Sequence, residues 1–128
     1  MNAGIADTSG FIARESGRPL EWQSLPERVG ISVITIGELR AGVLAASTLD
    51  LRDRRLATLT AASALAAIPV DERVAEAWAH LRVSLRDAGL RMGLNSSWIA
   101  ATALAHGVPV ITQDADYAAV AGLEVIRV

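Results

Sequence analysis

Four acidic side chains stand where short β-branched runs give way to helical stretches: Asp7 in IADTSG, Glu38 in ISVITIGEL, and Asp114 with Asp116 in VPVITQDADY. In an α/β chain the carboxyl ends of parallel strands meet along one edge of the sheet, so acids remote in sequence can share one crevice. Carboxylates gathered there repel one another, which shifts their pKa values and costs stability. A hard divalent cation removes the conflict. Mg²⁺ takes one or two carboxylates, keeps several waters and leaves positions for substrate phosphate. Such a site activates a bound water and stabilises a leaving oxygen, so phosphodiester hydrolysis is the chemistry that fits. Thr8, Ser9 and Thr112 lie beside the acids, in reach of metal waters or a substrate phosphate.

Taken singly, each acid has a plainer use. Thr35 and Glu38 match the Ser/Thr-x-x-Glu capping box. Asp114 suits the N-cap of the segment after it, Asp116 in the first turn complements a helix dipole, and Asp7-Thr8-Ser9 can serve as simple helix capping. Asp7 is the hardest to dismiss, because a carboxylate after an apolar strand is costly to bury unless paired or bound to metal. Arg40 and Arg91 are candidate phosphate contacts, set against the ordinary use of arginine as a solvated surface residue. His80 and His106 lack the spacing of a metal pair, and His106 suits a helix C-terminus. Trp78 and Trp98 read as core residues; Trp22 either packs a short helix or lies in an interface.

The elements that must position these residues alternate. Strands are expected in the GIADTS opening and at Gly30–Ile34, Ile68–Val70, Val108–Ile111 and Leu123–Val128, the last at an edge. Helices are expected around Ser9–Glu15 and over Thr35–Ala46, Leu49–Ala66, Asp71–Ala88, Ser96–His106 and Asp114–Ala121, with Gly107 as a left-handed stop and PLEWQSLPE as a short helix or turn. Strands separated by helices imply a parallel sheet covered on both faces.

The 128 residues read as one domain with a core of Ala, Leu, Val and Ile, since the chain is 52% hydrophobic but only 4% aromatic. Cysteine is absent, which excludes thiolate metal sites, disulfides and Cys nucleophiles. All 12 basic residues are arginine, which excludes Schiff-base chemistry and any P-loop or receiver-domain mechanism that needs a lysine. No G-x-G-x-x-G follows the first strand, so dinucleotide binding is excluded too. The net charge of −2 does not advertise nucleic-acid binding, but arginine supplies planar, bidentate phosphate recognition. The chain has no apolar run of membrane-spanning length and no secretory signal pattern, so a cytoplasmic address is expected.

The ADTSG opening, the SVITIGELRAGV segment, the NSSWIAATAL helix start and the VPVITQDADY strand together resemble the PIN domain, and more narrowly the VapC-type toxins of bacterial toxin–antitoxin pairs. The resemblance runs almost end to end. It implies a PIN-like three-layer α/β/α fold over residues 1–128, with a parallel sheet of about five strands. It implies a Mg²⁺- or Mn²⁺-dependent endoribonuclease, a homodimer, neutralisation by a cognate antitoxin, and a structured RNA substrate such as tRNA or ribosomal RNA. Carried over by position, Asp7, Glu38 and Asp114 match metal-site acids and Asp116 a second nearby acid, while Thr8, Ser9 and Thr112 match polar supports. One position departs. Related toxins commonly read Asn-Asp before the Trp-Ile-Ala-Ala helix, and this chain reads Asn95-Ser96. Serine carries no charge and is a poor Mg²⁺ ligand, though it caps a helix well. The change is engineered, or natural and inactivating, which leaves an antitoxin- or RNA-binding module, or it is compensated by Asp116.

Overall fold

Each apolar run is too short to be stable alone, and five of them join into one sheet. The strands are β1 (Ala3–Ala6), β2 (Arg28–Ser32), β3 (Ala66–Ile68), β4 (Val110–Thr112) and β5 (Val125–Arg127). The helices are α1 (Thr8–Glu15), α2 (Val33–Leu44), α3 (Leu49–Ser63), α4 (Glu72–Asp87) and α5 (Leu94–His106), with 3₁₀ turns at Trp22–Ser24 and Ala115–Ala119. The computed structural model describes residues 2–128 except the Trp22 side chain, so the expectation for that side chain lies outside the described residues.

All four strand pairings are parallel, in the order β3-β2-β1-β4-β5. The chain steps outward from β1 to β2 to β3, then crosses to the far side of β1 for β4 and β5. The order therefore reverses between β1 and β4, and a crevice opens there beyond the strands' carboxyl ends. The pleat divides the core in two. Ile5, paired with Val110, packs with Leu81, Leu85 and Ile99 of α4 and α5. Ile31, paired with Ala6, packs with Leu39, Val43 and Leu59 of α2 and α3. Helices thus cover both faces, as a parallel sheet requires.

Several local expectations change. Helix α2 starts at Val33 because the Ser32 side chain accepts from the Ile34 amide at 3.1 Å, which puts Thr35 inside the helix and buried. The Thr35–Glu38 capping box therefore does not form, and Glu38 lies in the second turn of α2 rather than at the strand end. Helix α5 starts at Leu94 with Gly93 at its cap, so Ser96 sits in the first turn and caps nothing. The expected Asp114–Ala121 helix is a 3₁₀ turn over Ala115–Ala119, and β3 runs over Ala66–Ile68 rather than Ile68–Val70. Gly107, at φ 64°, ends α5 in the left-handed conformation. Trp78 and Trp98 are only half-buried; they stack with centroids 4.3 Å apart and form the α4–α5 seam.

Ile31 is fully buried at the centre of its cluster, and truncating it leaves a cavity. Ile31→Ala should lower stability by about 2–5 kcal/mol in urea unfolding with an unchanged denaturant slope. A loss below about 0.5 kcal/mol, the scale of surface changes, would contradict this packing.

Candidate active site

The crevice is organised around Asp7, the first residue after β1 and the N-cap of α1. Its Oδ1 accepts from the Ser9 amide at 3.1 Å and from Ser9 Oγ at 2.6 Å. Its Oδ2 accepts from Thr112 Oγ1 at 2.7 Å, which ties the end of β1 to the end of β4. Thr112 Oγ1 in turn accepts from the Asp114 amide at 2.8 Å, and Ser9 Oγ accepts from the Gln113 amide at 2.9 Å. Asp114 caps the 3₁₀ turn by accepting from the Asp116 amide at 2.9 Å. From the other side, Thr8 Oγ1 donates to Glu38 Oε1 at 2.7 Å, which holds α2 against α1. Helix capping and site assembly use the same bonds.

A cavity of about 270 Å³ opens at this point, lined by Asp7, Glu38 and Asp114 together with Thr8, Ser9 and Ser96. Thr112 is fully buried behind it and reaches the cavity through Asp7, Ser9 and the Asp114 amide, to each of which its hydroxyl is bonded. Asp116 is exposed and outside the lining: the tight 3₁₀ turn points Asp114 and Tyr117, three residues apart, inward and Asp116 to solvent. Asn95, Arg40 and Arg91 are also exposed and line no part of this cavity.

Asp7 is only 4% exposed, and burial pushes its carboxyl above the ordinary value, against the bonds from Ser9 and Thr112. Among the described residues no arginine forms an ion pair with Asp7, Glu38 or Asp114; the pair present, Arg86–Asp87, lies elsewhere. Nor do any three acids or histidines among the described residues converge tightly enough to enclose an ion unaided. The donor set still fits Mg²⁺ or Mn²⁺, because such ions need only one or two carboxylates and complete their shell with water. A buried carboxylate with hydroxyl and amide donors but no ion-pairing cation among the described residues is the observation behind that fit.

A family model for the PIN domain matches residues 5–123. Ribonuclease VapC5 of Mycobacterium tuberculosis is 50% identical over 98% of this chain and 96% of its own length. The chain belongs to the PIN-domain family, in its VapC group. Ribonuclease VapC4 of the same organism is 48% identical over 97% of this chain and 95% of its own. A crystal structure of VapBC-5 from M. tuberculosis, a member of the VapBC family of toxin–antitoxin systems, superimposes with a TM-score of 0.90 at 46% identity, covering 98% of each chain.

Two lining residues of this PIN domain escaped the sequence reading. Arg18 lines the cavity from the connection after α1 and is its only arginine. Tyr117 is fully buried, and its hydroxyl, influenced by both Asp7 and Ser96, completes no hydrogen bond among the described residues. Burial and the Asp7 charge push its pKa up, so it stays protonated. The signal for Tyr117 was present in its spacing from Asp114; Arg18 left none, since its place depends on a loop path.

The raised Asp7 pKa has a defined consequence for stability. The folded state holds the Asp7 proton more tightly than the unfolded chain, so this contribution is fully present below the ordinary value of 3.8. It is lost as the pH rises through the raised value. Without divalent ions, Asp7→Asn should therefore gain stability relative to the parent between about pH 4 and about pH 7 in urea unfolding. A parent that gains on the variant over that range would contradict the burial argument.

Proposed function

We propose that this chain is the toxin ribonuclease of a toxin–antitoxin pair, hydrolysing RNA phosphodiester bonds with Mg²⁺ or Mn²⁺ held by Asp7, Glu38 and Asp114. The observation that carries this reading is the burial of Asp7, without a cationic partner, in a cavity that Glu38 and Asp114 also line. The ribonuclease names of VapC5 and VapC4, each close to half identical to this chain, support it. When bound, the ion supplies a water of lowered pKa and charge to offset the leaving oxygen.

The chain's own residues do the rest. Ser9 and Thr112 engage both oxygens of Asp7, and Thr8 engages one oxygen of Glu38, so the carboxylates are oriented before any ion arrives. Arg18 brings a planar guanidinium to a cavity otherwise charged by acids, suited to a substrate phosphate. Tyr117 stays neutral at the cavity floor and adds no charge there. A cognate antitoxin, a homodimer, a tRNA or ribosomal RNA substrate and a cytoplasmic location complete the proposal. The antitoxin is supported by the toxin–antitoxin assembly of the similar VapBC-5. No helix among the described residues is long and apolar enough to cross a membrane.

One observation favours a second reading, an inactive module that binds antitoxin or RNA: Ser96 lines the cavity with a hydroxyl where an acid would add charge. RNA cleavage by the parent, Ser96→Asp and Asp7→Asn, side by side with Mn²⁺, separates the two. Cleavage should rise in Ser96→Asp. It should fall by at least about 100-fold in Asp7→Asn, the upper end for mutating an outer partner of a metal ligand. No cleavage by either the parent or Ser96→Asp, both folded, overturns the ribonuclease reading and leaves the binding module.

A further inference from the structure

A cavity lined by three carboxylates repels an RNA strand, and the chain's net charge of −2 gives no compensating general attraction. Arg18 is the single arginine of that cavity, so most of the affinity for a polyanion must come from cations outside it. Of the four described cavities, one has more than a single arginine in its lining. It is a basin of about 550 Å³ where α4 turns towards α5, lined by Arg82, Arg86 and Arg91 with Leu85, Leu90 and Met92.

These arginines are used differently from others in the chain. Arg55, Arg73 and Arg127 donate to the backbone carbonyls of Gly42, Ala105 and Gln113 at 2.7, 2.6 and 3.0 Å. Among the described residues Arg82 and Arg91 donate to no protein acceptor. Arg86 pairs only with its neighbour Asp87 at 3.3 Å, where side chains 75% and 66% exposed make the pair weak. Arg82 lies 5.5 Å from the centroid of Trp78, a cation–π contact that orients its plane and leaves its N–H edges open. Trp78 stacks on Trp98 and donates to Ser97 Oγ at 3.0 Å. Both partners lie near the start of α5, beside Ser96 of the acid cavity. Leu85 and Met92 of the basin share one buried cluster with Ile99 and Tyr117 of that cavity. Basin and cavity are two openings over the same packed core.

We propose that this basin binds the RNA backbone away from the scissile bond, an inference that rests on the ribonuclease reading for the nature of the polyanion. The guanidinium forks take phosphates, and the apolar patch between them takes the face of a base or sugar.

Binding is read apart from cleavage, by anisotropy of a labelled RNA stem–loop in EDTA between about 50 and 200 mM salt. The triple variant Arg82→Gln, Arg86→Gln, Arg91→Gln should bind about tenfold more weakly, with a salt slope smaller by about 2. The matching lysine triple, which keeps the charge, should retain most of the slope and guards against a loss of fold. A control triple on other exposed arginines, Arg14→Gln, Arg52→Gln, Arg54→Gln, should change the slope by less than about 1. Unchanged binding in the basin triple, or equal losses in both glutamine triples, overturns the proposal. So does a basin triple that keeps RNA but loses an acidic protein partner. A parent that binds RNA through the basin yet never cleaves it leaves the basin standing and removes only the ribonuclease reading.

Discussion

The hydrogen bond from Thr112 Oγ1 to Asp7 Oδ2 joins the two strands between which the sheet order reverses, and the site depends on it. A buried carboxylate at such a junction is tolerable only when each oxygen has donors, and Ser9 and Thr112 provide them. The same hydroxyls fix the backbone just beyond β4: Thr112 receives the Asp114 amide and Ser9 the Gln113 amide. Removing the Thr112 hydroxyl would therefore loosen Asp7 and Asp114 together. The site is an extension of the strand ends rather than a set of independent side chains.

Much of this was legible in the sequence, for identifiable reasons. Parallel strands buried on both faces carry unbroken apolar runs, so β1, β2 and β4 announced themselves. Asp7 comes directly after β1 and Asp114 two residues after the end of β4, and topology alone brings them to one edge. Glu38 lines the cavity, but from a different address than expected. Ser32 takes the cap, α2 begins earlier than expected, and Glu38 reaches the cavity from the second helical turn. Asp116 stays outside the cavity lining for a matter of period: a 3₁₀ turn brings in every third residue, which selects Tyr117. Arg91 was named as a candidate phosphate contact, but Arg18 and the grouping of Arg91 with Arg82 and Arg86 depend on loop paths and helix ends, where local sequence carries the least information.

Ser96 acquires a structural meaning that its sequence position alone did not carry. It is not a helix cap; it lines the acid cavity from the first turn of α5, with the buried Tyr117 also in that lining. Two neutral hydroxyls, rather than a further carboxylate, therefore occupy that side. Less negative charge would reduce repulsion of a substrate phosphate; under the proposed metal-dependent reading it would also leave one ligand fewer and a weaker hold on a divalent ion. Whether the balance favours turnover or binding alone turns on how firmly the remaining acids bind metal.

Calorimetric titration of Mn²⁺ into the parent and into folded Asp114→Asn tests that point most directly. Saturable binding is expected in the parent, and binding at least about tenfold weaker in the variant. Equal Mn²⁺ affinity in the two proteins, or no binding to the parent at all, would contradict the claim that these strand-end acids form a metal site.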